Sequence, residues 1–186
     1  NTAYMALDYH IEQGRGDQAA IIYDSPVTDT HRTLSYSDLR DQVARFAGVL
    51  KQQGVEPGDR VVIYMPMVPE ALVAMLAVAR LGAVHSVVFG GFSSRELAVR
   101  IEDAEPKFVV SASCGVEVKR VVEYKPMLDE ALRLSTHKPF RSVVLQRPEA
   151  RAALIDGQDI DWHDAMAASE PAECVPVKGT DPLYVL

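Results

Sequence analysis

The feature that most constrains this chain is a repeated alternation. Short β-like runs alternate with helical spans along the chain. Arg60–Tyr64 is one such run, and Pro69 opens a nearly all-apolar helix after it that ends at Gly82. Val84–Phe89 is apolar throughout, as in a strand buried on both faces, and Ser93-Ser94-Arg95-Glu96 has the form of a capping box opening the next helix, to about Ala104. Lys107–Ala112 and Ser142–Leu145 are further strands, with a helix over Met127–Leu134 between them. Strands separated by whole helices cannot be hairpins, so Arg60–Tyr64, Val84–Phe89 and Lys107–Ala112 are expected to pair in a mostly parallel sheet with flanking helices, an α/β layered fold.

The flanking regions fit less regularly. Tyr4–Gln13 reads as a short helix ending near Gly14, and Ala19–Tyr23 and Thr33–Tyr36 as strands joined by the turn-rich Asp24–Thr30. Ser37 is the expected N-cap of a helix through Gln53, with Leu39, Val43, Phe46, Ala47 and Leu50 on one face. Gln146–Ile160 is expected to be a surface excursion, followed by a short helix over Asp161–Ala168. Leu183–Leu186 starts another strand.

Composition narrows the class. The 186 residues hold 19 basic and 26 acidic side chains, a net charge of −7, which offers no basic footprint for nucleic acid or an anionic membrane. Apolar stretches such as Ala71–Ala79 are far shorter than the roughly 20 residues that cross a bilayer. Cys114 and Cys174 stand alone, so a reducing compartment is expected. Residue 1 is Asn and the last residues form an apolar run, from which a piece of a longer domain is expected.

Chemistry is sparse at this level. Gly14-Arg15-Gly16-Asp17-Gln18-Ala19 matches G-x-G-x-x-A, but a helix precedes it and a strand follows, the reverse of the dinucleotide fingerprint. Phe89-Gly90-Gly91-Phe92-Ser93 has the right context, strand before and helix after. It is either a phosphate-receiving turn or a plain tight turn capped by Ser93. The five histidines have no metal-ligand spacing, and His85 is expected to be a hydrogen-bonded core residue. Trp162 and Met127 read as core, and Glu123-Tyr124-Lys125 as a solvated edge.

Four segments together resemble the adenylate-forming superfamily. They are Thr33-Leu34-Ser35-Tyr36-Ser37-Asp38-Leu39, Gly58–Pro66, Ala79–Ser93 and Asp181–Leu186. The third has the form typical of AMP-forming short-chain acyl-CoA synthetases of the acetyl and propionyl types. Ile21–Thr28, Val122–Pro126, His137-Lys138-Pro139 and Cys174–Val177 look more like the propionyl branch. The resemblance implies an enzyme that converts propionate or acetate with ATP and Mg²⁺ to an acyl-adenylate and transfers the acyl group to coenzyme A. It also implies that residues 1–186 are a partial N-terminal domain ending just before the phosphate loop. No catalytic or metal-binding residue is then expected within this chain, which is expected to be inactive alone and prone to self-association. A cytoplasmic location, or the mitochondrial matrix in a eukaryote, is implied. Carried over residue by residue, Phe89, Gly90 and Gly91 would lie against coenzyme A, and the family's G-V-R-x-x-R phosphate contact becomes Gly115-Val116-Glu117-Val118-Lys119-Arg120. Arg120 is retained, whereas Glu117 replaces the first arginine and would repel phosphate unless Lys119 compensates. An adenylation domain serving another acceptor, a non-catalytic α/β binding module, and Arg120 as a solvated surface cation remain alternatives.

Overall fold

The computed structural model describes residues 1–118 and 120–186. The chain starts with two short π-helical turns, Tyr4–Asp8 and Ile11–Arg15. A hairpin follows, of β1 (Ala19–Ser25) and β2 (Thr30–Ser35), and leads into α1 (Tyr36–Gln52). The cap of α1 is Ser35, not Ser37. The Asp38 amide donates to Ser35 Oγ (3.1 Å) and the Ser35 amide to the Asp38 carboxylate (3.0 Å), a reciprocal box that only a residue three positions before Asp38 can make.

Next come β3 (Arg60–Met65), α2 (Pro69–Arg80), β4 (Val84–Phe89), α3 (Ser94–Ala104) and β5 (Phe108–Ala112). A hairpin of β6 (Cys114–Glu117) and β7 (Arg120–Glu123) precedes α4 (Tyr124–Leu134). The chain finishes with β8 (Arg141–Leu145), β9 (Asp159–Asp161), α5 (Trp162–Ala168) and β10 (Tyr184–Val185). α4 begins three residues before the expected Met127, because Pro126 in a first turn lacks only an N–H that has no intrahelical partner there.

Six strands form one sheet in the order β10-β4-β3-β5-β8-β9, and every neighbouring pair is parallel. The expected parallel pairing of β3, β4 and β5 is thus observed. The connection from β3 runs through α2 to one side, and that from β4 runs through α3 past β3 to the other. α2 packs on α1, which also meets α5, while α3 packs on α4. β3 lies at the centre, with Val61, Val62, Ile63 and Tyr64 fully buried. Trp162 of α5 stacks on Phe46 of α1 with ring centroids 3.9 Å apart.

Four expectations are corrected. β4 is not buried on both faces along its length, since Val87 and Phe89 are exposed. The Gln146–Ile160 excursion ends in β9, a true member of the sheet. His85 is buried but its Nδ1 has no hydrogen-bond partner among the described residues, and burial lowers its pKa. Lys125 is not solvated. Its Nζ is buried between Asp159 (2.8 Å) and Asp129, which ties α4 to β9.

A second tie joins α3 to the segment after α4. The Glu102 carboxylate accepts from Ser135 Oγ (2.7 Å), Thr136 Oγ1 (2.9 Å) and the amides of Thr136 and His137. The Ser135 hydroxyl first, then Thr136, hold its pKa down to about 2 against an ordinary 4.5. A depressed carboxylate stabilises the fold above its ordinary pKa, and that contribution is lost as pH falls through the folded value. Glu102→Gln is therefore expected to flatten the decline in urea midpoint between pH 4.5 and 2. An unaltered pH dependence counts against this latch.

Candidate functional site

Because the sheet is parallel, the loops leaving β3, β4, β5 and β8 emerge at one edge, where α/β proteins place their ligands. A cleft of about 330 Å³ opens there. Its walls are Pro66–Val68 after β3, Phe89 and Gly91 after β4, Val116 and Glu117 of β6, and the tip of the β1–β2 hairpin, with Tyr124 and Arg147 also in its lining.

The turn after β4 is built for a tight reversal. The Phe92 amide returns to the Phe89 carbonyl (3.0 Å), and the Tyr64 hydroxyl donates to the Phe92 carbonyl (2.8 Å). The expected capping box is present, with the Glu96 amide donating to Ser93 Oγ (3.4 Å) and the Ser93 amide to the Glu96 carboxylate (3.2 Å). A carboxylate of the chain itself thus sits at the start of α3, so phosphate recognition there has to compete with it.

The two glycines differ. A Cβ on Gly90 would lie 2.5 Å from Tyr124 Cε2 and 2.6 Å from its hydroxyl oxygen. Gly115, on the other side of the same ring, would likewise meet the Tyr124 hydroxyl. Tyr124 therefore occupies the space that two absent side chains leave, and its ring stands 5.1 Å from that of Tyr64. A Cβ on Gly91 would meet only the ring of Phe89, at 2.9 Å, and Phe89 is 65% exposed and free to turn aside.

Burial raises the pKa of both tyrosines, Tyr64 to about 12. The charge of Glu117 adds to the effect on Tyr124, and that of Arg147 opposes it. Both hydroxyls therefore stay neutral at ordinary pH, and that of Tyr64 donates to the Phe92 carbonyl.

The hairpin tip carries Glu117 and Arg120 as its last cross-strand pair, with Arg120 Nε 2.8 Å from the Glu117 carboxylate. The hydrogen bond lowers the pKa of Glu117 and raises that of Arg120. Both side chains are well exposed, 71% for Arg120 and 52% for Glu117, so solvent screens the pair and it adds little stability. Lys119, the expected compensating cation, lies outside the described residues. Phe89, Gly91 and Glu117 thus share one cleft, with Arg120 at its rim through Glu117 and Gly90 beneath as the seat of Tyr124. Sequence reasoning missed Arg147 and Tyr124. The only signals were an arginine two residues after an apolar strand and an aromatic two residues before a proline.

Residues 8–186 match the family described as AMP-binding enzyme. The chain belongs to that family. An uncharacterized protein of Pseudomonas aeruginosa is 61% identical over the whole chain, which spans 30% of that protein. The mitochondrial acyl-CoA synthetase short-chain family member 3 of Rattus norvegicus is 54% identical, again over the whole chain and 27% of the relative. An acetyl-coenzyme A synthetase of Rubrobacter xylanophilus is 44% identical over the whole chain and 29% of its own length. The crystal structure of Brucella canis acyl-CoA synthetase superposes with a TM-score of 0.80 at 25% identity, covering 99% of this chain and 30% of that one. The chain therefore spans under a third of the length of these AMP-binding relatives. Among the described residues no helix is long and apolar enough to cross a membrane.

Within this AMP-binding fold the two glycines make separable predictions. Gly90→Ala is expected to push Tyr124 aside and destabilise the protein by about 1–3 kcal/mol, the usual cost of overpacking. Gly91→Ala is expected to leave the urea midpoint nearly unchanged. Equal losses at the two positions contradict this division.

Proposed function

We propose that this chain is the N-terminal part, residues 1–186, of an AMP-forming short-chain acyl-CoA ligase, and that its cleft takes coenzyme A. The observation that carries the reading is the meeting of the Phe89–Gly91 turn, the Glu117–Arg120 hairpin tip and Tyr124 at the C-terminal edge of the parallel sheet. Family membership and the acyl-CoA synthetase relatives support it. Propionate is proposed ahead of acetate, on the propionyl-like segments Ile21–Thr28, Val122–Pro126, His137-Lys138-Pro139 and Cys174–Val177.

In the proposed reaction a carboxylate oxygen attacks the α-phosphorus of ATP with Mg²⁺, and pyrophosphate leaves. The thiol of coenzyme A then attacks the acyl carbonyl of the adenylate, AMP departs and the thiol proton passes to solvent. Groups for the first step are proposed to lie outside residues 1–186, so this chain alone is proposed to be inactive. Its own share is to bind the coenzyme. Phe89 offers an exposed apolar wall, Gly91 lets the backbone approach closely, and Arg120 offers a rim cation weakened by Glu117. Self-association of the isolated chain is proposed through the open face of β4 and β10, where Val87, Phe89, Tyr184 and Leu186 are exposed. The proposed compartment is the cytoplasm, or the mitochondrial matrix in a eukaryote.

The test uses the full-length protein. Gly91→Leu is expected to spare ATP–pyrophosphate exchange while lowering thioester formation, because a side chain there narrows the cleft without disturbing Tyr124. Glu117→Arg is expected to lower the KM for coenzyme A by removing a repelling charge and adding a cation. Equal loss of both half-reactions in Gly91→Leu, or a raised KM in Glu117→Arg, contradicts the reading.

A further inference from the structure

Beside the cleft lies a second hollow of about 290 Å³, lined by Arg32, Glu70, Glu149 and His163 among others. Tyr23, Thr28, Val68 and Arg147 line both, so the two hollows adjoin along a groove wall that includes Arg147.

Arg147 differs from Arg120 in how it is held. Its side chain is 10% exposed, against 71% for Arg120. Its backbone amide donates to Ser113 Oγ (2.9 Å), and Nη1 donates to the Cys114 carbonyl (3.1 Å) at the foot of β6. Nη2 makes one long contact, 3.4 Å, to Glu149. A guanidinium carries five N–H donors in a rigid fork. Nε meets no acceptor among the described residues. Arg147 is thus a largely buried cation, held by the Cys114 carbonyl and only loosely paired with Glu149, whereas Arg120 is well exposed and closely paired with Glu117.

The charges around the cleft arrange in depth. Asp24 and Glu117 line the cleft and disfavour an anion beside them, while Arg147 lines both the cleft and the adjoining hollow, where Glu149 is its loose partner. Burial raises the pKa of the Tyr124 hydroxyl, with Glu117 adding to this and Arg147 opposing it, and the hydroxyl lacks a protein partner among the described residues. It is placed to serve as a second neutral donor.

We propose that Arg147 is the anion-recognition residue of this groove, taking a phosphate of the phosphate-bearing thiol cofactor in place of the arginine that Glu117 replaces, with Arg120 reduced to a rim contact. This rests on the coenzyme A reading of the cleft. It assigns the charge-bearing contact to a residue outside the segments that led to that reading.

Calorimetric titration of the full-length protein with coenzyme A, with adenosine 3′,5′-bisphosphate and with pantetheine separates the alternatives. Arg147→Gln is expected to weaken coenzyme A and the bisphosphate by about tenfold or more, the scale of a charge-assisted hydrogen bond lost from a desolvated site. Pantetheine, which carries no phosphate, is expected to bind as in wild type. Arg120→Gln is expected to weaken coenzyme A by less than about fivefold, as for an exposed pair. Arg147→Lys keeps the charge and loses the fork. It is expected to give a smaller loss for coenzyme A and none for pantetheine, and it carries the comparison if the glutamine variant does not fold. A loss for pantetheine as large as that for coenzyme A would make Arg147 an anchor of the hairpin only and overturn the proposal. A larger loss in Arg120→Gln than in Arg147→Gln overturns it while leaving the cleft reading intact. If Arg147→Gln and Gly91→Leu both bind coenzyme A as wild type does, both readings fall.

Discussion

Parallel strands cannot be joined by tight turns, and the rest of this molecule depends on that constraint. Each strand of the sheet must return over one face before the next begins, so the C-terminal ends of β3, β4, β5 and β8 all open at one edge. β3 sits at the centre with β4 on one side and β5 on the other, and successive connections therefore diverge. Divergent connections leave a crevice between them. The β1–β2 and β6–β7 hairpins then wall that crevice without joining the sheet.

Within the crevice one side chain links segments that are remote in sequence. Tyr124 stands against Gly90 after β4, against Gly115 in β6, and within reach of the charges of Glu117 and Arg147. Its position explains why Gly90 and Gly115 are glycines, since a Cβ on either would meet its ring. It also shows how the hairpin carrying Glu117 and Arg120 is seated, because the Tyr124 amide bonds to the Ser113 carbonyl directly before β6 (2.9 Å). The Ser113 hydroxyl in turn receives the Arg147 amide. The anchoring of the hairpin and the floor of the cleft are thus one network.

What was legible in the sequence was mostly local. Pro69 at the start of α2, the Ser93–Glu96 box and the apolar runs of β3, β4 and β5 declare themselves within a few residues, and the parallel sheet follows from their spacing. Ser37 was mistaken for the α1 cap because two serines compete there and only the Asp38 side chain decides between them. Lys125 reads as solvated in any sequence, since its burial depends on Asp159 in a strand that was itself read as surface. Arg147 was hidden for the same reason, as a charged residue before proline and glutamate gives no sign of the Cys114 carbonyl it reaches. At the site, Phe89 and Gly91 were found through family resemblance, but the difference between Gly90 and Gly91 needed the ring of Tyr124 in three dimensions.

Amide hydrogen exchange of the full-length protein, with and without coenzyme A, tests most directly whether the crevice is the coenzyme's place. Binding there is expected to slow exchange at Gly90 and Gly91, at Val116 and Glu117, and at Arg147, three separate segments that meet only in this fold. Protection confined to other parts of the protein, with these amides exchanging at their free rate, would contradict it.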